Sequence, residues 1–279
     1  MKEENERIGK MEAYLKEMAE NEKSPVTINK YRRDILRFLT FWGKEELTRE
    51  LCLNYKASLV EEKFQASSIN SMMASLNGFL VYLGREDCTV RHLRTQSKVY
   101  CSAERELTRE EFEKLIAATK KDERLKLLLQ TVGGTGIRIS ELKYFTVEAA
   151  ERGEIEVSCK NKIRTILIPE ILQKKLLDYA KQRGIRTGPV FRTAGGKCLD
   201  RSEIWKQMKR ICRIAGVQSE KVYPHNLRKL FARTFYRKEQ DLAMLADLLG
   251  HSSLDTTRLY IKSTGQEHKK KMEGLKLIT

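Results

Sequence analysis

The stretch "EIEVSCKNKIRTILIP", residues 154–169, alternates apolar and polar residues like two short strands around a tight basic turn. Elsewhere the apolar residues recur at helical spacing. A small hairpin set among helices predicts a mainly α chain with a small antiparallel β-sheet. The hairpin falls in the second half, so the expected order is an N-terminal helical bundle followed by an α+β domain. The alternation in Ile155, Val157 and Cys159, then in Ile163, Thr165 and Leu167, predicts which sides of the two strands are buried.

The first hundred residues read as helices. "TINKYRRDILRFLTFWG" aligns Ile28, Tyr31, Ile35, Phe38, Leu39 and Trp42 on one stripe, with Thr27 as the expected N-cap and Gly43 as the stop. Arg32, Arg33 and Arg37 ride the other side, as a solvated basic face or as phosphate contacts. "SSINSMMASLNGFLVYLG" gives a second stripe through Ile69, Met72, Leu76, Phe79, Leu80 and Leu83, and Gly84 ends it. Helices near 6–20 and 48–62 complete a module over 1–85. Residues 86–105, polar, basic and without periodicity, read as a linker that carries His92. The second domain is expected over 106–279 and opens on a capping box, Thr108 with Glu111. Further helices are expected at 170–183, 201–215, 224–238 and 241–249.

The 279 residues carry a formal net charge of +16, and 41% of them are apolar. A balance that basic points to a polyanionic partner, nucleic acid before an anionic membrane surface. No run approaches the roughly 20 apolar residues of a membrane span, and the charged start "MKEENERIGK" is no export signal. A cytoplasmic location is expected on that ground. The six cysteines (Cys52, Cys88, Cys101, Cys159, Cys198, Cys212) form no CxxC, which argues against a zinc site and a disulfide framework. No cofactor is expected: the glycines of "GGTGIRISELKYF" make neither a dinucleotide fingerprint nor a phosphate-binding Walker loop.

Four places carry chemistry. Gly133, Gly134 and Gly136 allow a sharp turn before Arg138, whose rigid fork suits phosphate oxygens at a helix start. "YPHNLRKLFARTF" puts His225 and Arg228 three apart, hence on one helical face, behind Pro224. "LLGHSSLDTTRLY" ends a leucine-rich helix at Gly250, follows it with His251, and offers Ser253 as cap of a short helix leading to Tyr260. A tyrosine of pKa about 10 needs cations nearby to react as a phenolate. The hairpin tip supplies Lys160.

In that order and spacing, Arg138, Lys160, the HxxR pair His225 and Arg228, the Gly-His element at His251 and the late Tyr260 resemble the tyrosine recombinase/integrase family. "TGIRISEL", "CKNKIRTILIP", "HNLR" and "LLGHSSLDTTRLY" carry the resemblance, which spans about 107–265. The N-terminal module is similar, more weakly, to the family's helical core-binding domain. Without a further domain before that module, the layout looks closer to Xer-like recombinases or compact integrases of mobile elements.

The resemblance implies a site-specific recombinase that cleaves and rejoins double-stranded DNA without a metal. Tyr260 would attack a phosphodiester and form a 3′-phosphotyrosyl bond. Arg138 and Arg228 would clamp the non-bridging oxygens, and Lys160 would protonate the departing 5′ oxygen. His225 would assist proton transfer, and His251 would bond the scissile phosphate. Lys162 competes with Lys160 for the general-acid role, because the tip is shorter than the family often has. A homo-tetramer on two duplexes is implied, with the two modules gripping the duplex as a C-shaped clamp. The tail, with Met272, Leu275 and Leu277, would dock on a neighbouring subunit. Two other readings remain at this stage: a type IB topoisomerase-like activity, and a catalytically silent DNA-binding relative.

Overall fold

The structure is a computed structural model that describes residues 2–94, 106–120, 122–159, 162–193, 195–251, 253–261 and 273. The chain divides into two compact units, 1–97 and 98–279. It is mainly helical, and its described sheet is one antiparallel pair.

The first unit holds α1 (Lys2–Glu20), α2 (Pro25–Trp42), α3 (Arg49–Glu61) and α4 (Ala66–Tyr82), followed by a 3₁₀ turn at Glu86–Cys88. Its core is built on Phe38, Tyr55, Leu59, Met73, Leu76 and Phe79. The N-cap of α2 is Ser24, three residues before the expected cap Thr27. Pro25 occupies the first turn, where its fixed φ and missing N–H suit a helix start, and Ser24 Oγ accepts from the Thr27 N–H at 3.2 Å. Gly43 ends α2 as expected, with φ +55°. On the basic side of α2, Arg32 pairs with Glu12 and Arg37 with Glu62, while Arg33 stays largely exposed. The packed unit runs past residue 85. Cys88 and Val90 are buried, and two asparagines of α4 hold the following backbone. Asn77 bonds both the N–H and the carbonyl of Val90, and Asn70 does the same for Leu93.

The second unit holds α5 (Arg109–Ala118), α6 (Glu123–Thr135), α7 (Val147–Arg152), β1 (Glu154–Cys159), β2 (Lys162–Leu167), α8 (Glu170–Gln182), α9 (Arg201–Ala215), α10 (Pro224–Glu239), α11 (Leu242–Leu249) and α12 (Leu254–Arg258). The capping box of Thr108 and Glu111 opens α5. Leu128, Val132, Phe145, Leu176, Phe191, Met208 and Leu227 lie in one continuous core.

The hairpin corrects one expectation. Ile155 and Val157 of β1 are buried, as alternation predicts, but on β2 the buried residue is Ile166, and Leu167 is 64% exposed. The register pairs Ile155 with Ile166 and Val157 with Arg164. Residues directly opposite in an antiparallel pair share a face. The inward set on β2 is therefore Arg164 and Ile166, with Ile168 buried just beyond the strand. Of the expected set, Thr165 and Leu167 belong to the other face, and the side chain of Ile163 lies outside the described ones.

Candidate active site

Three chain turns, each ended by a particular residue type, bring the candidate residues together. Helix α6 stops at Gly136, which takes the left-handed conformation (φ +63°) and donates its N–H to Val132 O. A Cβ there would lie 2.4 Å from Phe231 Cδ1, so this approach to α10 needs glycine. The chain then buries Ile137 and presents Arg138 in extended conformation, at the head of a 3₁₀ turn over Ile139–Tyr144. Helix α10 begins at Pro224 and projects His225 and Arg228 from its first turns. Helix α11 ends on Gly250 (φ +62°) with a paired closure: Gly250 N–H donates to Asp247 O at 2.9 Å, and His251 N–H to Ala246 O at 3.0 Å. That closure sets His251 directly over the end of the helix. Ser253 caps α12, and the Tyr260 N–H donates to Thr257 O at 2.9 Å one turn beyond.

Arg228 is the centre of the arrangement and is only 2% exposed. Its Nη1 donates to Gly136 O and its Nη2 to Leu249 O, each at 2.6 Å. Nη2 also lies 3.0 Å from His251 Nε2. One guanidinium thus joins the end of α6, the end of α11 and the histidine. Burial and then the charge of Arg138 push its pKa down to about 10, which still leaves it charged at neutral pH. Its guanidinium carbon sits 5.8 Å from the centroid of the Tyr260 ring.

His251 is held from both sides, since its Nδ1 lies 2.9 Å from the Oγ1 of the fully buried Thr257. Burial first, then Arg228, Arg138, Arg164 and His225, push its pKa down to about 4. His225 keeps an edge in solvent. Partial burial and then Lys229 and Arg228 lower its pKa below the ordinary value. Both shifts favour the neutral imidazole. The half-buried Tyr260 packs on the small cluster of Ala232, Leu245 and Leu249, with its ring centroid 5.0 Å from those of both histidines.

Arg138 sits on the open side, with its side chain 40% exposed. Glu141 holds it twice: Oε2 accepts from the Arg138 backbone N–H at 2.8 Å, and Oε1 from Nη1 at 3.1 Å. Five expected residues, Arg138, His225, Arg228, His251 and Tyr260, thus form one cluster. Lys160 lies outside the described residues, as do Met272, Leu275 and Leu277 of the tail. Among the described residues no group of three or more His, Cys, Asp or Glu side chains could hold a metal ion.

Reading the sequence missed two contributors. Glu141 is 3% exposed and accepts from Arg164 as well as from Arg138. Arg164 is not among the expected residues because alternation along β2 alone points to the opposite phase. The signal was present: only two residues separate β1 from β2, and that spacing sets Arg164 opposite the core residue Val157.

A helical unit followed by an α+β unit, with two arginines, two histidines and a tyrosine converging, defines a DNA strand-breaking and rejoining enzyme of the tyrosine class. Residues 105–267 match the phage integrase family, and residues 11–87 match the phage integrase N-terminal SAM-like domain. The chain belongs to the phage integrase family and is a site-specific tyrosine recombinase. The topoisomerase-like and silent-binder readings are not favoured. Its sequence is 32% identical over 288 residues to the tyrosine recombinase XerA of Thermococcus kodakarensis, covering 100% of this chain and 98% of that protein. It is 28% identical over 248 residues to the tyrosine recombinase XerD of Vibrio cholerae, covering 83% and 78%. In fold it is similar to a lambda integrase (75–356) dimer bound to a COC' core site, with a TM-score of 0.74 at 18% identity over 92% of this chain and 96% of that one. The fold of the XerA recombinase crystal structure is also similar, with a TM-score of 0.55 at 23% identity over 97% and 99%.

Proposed function

We propose that the chain cleaves double-stranded DNA with Tyr260 as nucleophile, leaving a 3′-phosphotyrosyl bond and a free 5′-hydroxyl. The observation that carries this reading is the position of Tyr260 Oη, 3.5 Å from His225 Nδ1 with Arg228 and His251 against the same ring. His225, shifted towards its neutral form, takes the phenolic proton. Arg138 offers its solvent-facing fork to the phosphate, and Arg228 and His251 complete the cradle. Phosphoryl transfer needs positioned positive charge around the equatorial oxygens, and this cluster supplies it from side chains alone. Lys160 at the hairpin tip donates the proton to the leaving 5′ oxygen, with Lys162 as its competitor.

In this reading, the N-terminal unit, packed past residue 85 as far as Leu93, forms the core DNA-binding domain, and residues 106–279 form the catalytic domain with its tail. The charge of +16 supports extensive backbone contact. The working form is a homo-tetramer on two duplexes, in the cytoplasm. Its tail, from about residue 262, docks on a neighbouring subunit. An apolar cleft of about 470 Å³, lined by Phe112, Leu230, Phe231 and Phe235 among others, offers a surface of the kind such a tail needs.

A nicked suicide duplex run on a denaturing gel tests the chemistry. A shifted covalent band that vanishes in Tyr260→Phe is expected. A salt-sensitive gel shift with no covalent band in the wild type would reduce the chain to a DNA-binding protein. A chain truncated at about residue 262 should lose recombination between two sites, and normal recombination by it would remove the tail from the proposal.

A further inference from the structure

Arg164 connects three parts of the active site without facing the substrate. Its Nη2 donates to Glu141 Oε2 at 2.5 Å, and its Nη1 donates to Leu248 O at 2.9 Å. The side chain is 14% exposed. Its methylene stem crosses Gly250 so closely that a Cβ on that glycine would lie 2.3 Å from Arg164 Cδ and 2.9 Å from Nε. The chain around that glycine carries catalytic contacts on both sides. Leu249 O, one residue before it, accepts from Arg228, and His251, one residue after it, touches the same guanidinium. Glu141, at the other end of the Arg164 fork, holds both the backbone and the side chain of Arg138.

We infer that Arg164 is a positioning residue for strand cleavage: by bonding Glu141 and Leu248 across Gly250, it fixes Arg138 and the Leu249–His251 turn relative to each other and to the β-hairpin. This rests on the phosphotyrosyl chemistry proposed above. Two consequences follow from the geometry. Gly250 is required for space as well as for its left-handed φ, because the arginine stem fills the volume a side chain would take. Lysine does not replace Arg164, because a single ammonium cannot reach a carboxylate at one edge and a carbonyl at the other as a planar fork does. A slack latch leaves both arginines present but no longer aimed at one phosphate. A misplacement of about 1 Å at such a site lowers the rate about a hundredfold.

The test uses the full chain as wild type, Arg164→Lys, Arg164→Ala, Gly250→Ala and the Arg164→Ala/Gly250→Ala double variant. Duplex affinity is read by gel shift, and covalent band formation is timed on a nicked suicide duplex. Arg164→Lys should bind the duplex as the wild type does and form the covalent bond about a hundredfold more slowly. The His251 ring titration, followed by NMR in the free protein, should move upward in Arg164→Ala, which removes a cation. It should stay near its wild-type midpoint in Arg164→Lys, which keeps one. That split separates aiming from a general electrostatic effect and from simple unfolding. Gly250→Ala should lower the melting temperature less in the Arg164→Ala background than alone. An Arg164→Lys variant that cleaves at the wild-type rate overturns the inference, and so does an equal cost of Gly250→Ala in both backgrounds. If the wild type forms no Tyr260-dependent covalent band, the proposed chemistry fails. The melting comparison and the His251 titration still report on the latch in that case.

Discussion

Tyr260 Oη lies 3.5 Å from His225 Nδ1, at the outer limit of a hydrogen bond, while the two ring centroids are 5.0 Å apart. A contact that loose in the DNA-free state is expected to tighten when a phosphate is bound, as acid-base pairs commonly do. With His225 as the proposed base, His225→Ala should lower cleavage about 10²- to 10⁴-fold. The His225 pKa is depressed, by partial burial first and then by Lys229 and Arg228. The acid limb of the cleavage-rate profile should therefore fall below the ordinary histidine value near 6.5. Single-turnover cleavage across a pH series checks this. A limb at or above that value would contradict the assigned environment.

His251 gives a stability prediction with a definite sign. Its pKa is about 4 in the fold against an ordinary 6.5, chiefly because it is buried and then because Arg228 is beside it. Between those values the unfolded chain binds the proton that the folded chain refuses. The contribution of the neutral ring is complete above about pH 6.5 and is lost as pH falls towards 4. Chemical denaturation at several pH values should show stability rising with pH across that window. The rise should be shallower in His251→Gln. Equal slopes would mean the ring is better solvated than its contacts indicate.

Glu141 is a buried carboxylate held by two guanidinium groups and a backbone N–H. Glu141→Ala leaves Arg164 charged, mostly buried and without its acid, a loss of about 3–5 kcal/mol. Glu141→Gln keeps an acceptor and the shape and should lose less. Both variants should cleave slowly. A Glu141→Gln protein with unchanged stability and unchanged cleavage would show that the carboxylate charge is idle.

Gly136→Ala should be more damaging than an ordinary glycine substitution. The site requires φ +63°, and the added Cβ would meet the Phe231 ring at 2.4 Å. The strained backbone alone costs about 1–3 kcal/mol. The displaced Gly136 carbonyl also releases Arg228 Nη1. A lower melting temperature together with a loss of covalent band formation is expected. Loss of stability with undiminished cleavage by the folded fraction would separate the turn from the site.

Much of this architecture was legible because it depends on local rules. Helix stripes, the Thr108–Glu111 box, Pro224 at a helix start and Gly250 at a helix end act over a few residues, and each stands where the sequence puts it. The start of α2 lies ahead of the expected one because Thr27 has the chemistry of a cap, while the proline rule favours Ser24. Alternation along β2 leaves its buried face ambiguous because both phases offer apolar residues. Pairing across the turn, rather than alternation along one strand, decides between them. The convergence of five distant residues could be inferred from their order. Their wiring through Arg164, Glu141 and Thr257 could not, since those contacts join elements 6 to 84 residues apart.

The contact between Arg228 and His251 has a consequence for where a hydrogen atom sits. A guanidinium can only donate, so His251 Nε2 receives that bond with its lone pair, and the proton of the neutral ring is on Nδ1. Thr257 Oγ1 must then be the acceptor for Nδ1–H. Threonine 257, wholly out of solvent, thereby selects the imidazole tautomer. In the DNA-free enzyme His251 Nε2 therefore faces Arg228 as an acceptor, and donation from that nitrogen requires a proton that this tautomer carries on Nδ1 instead.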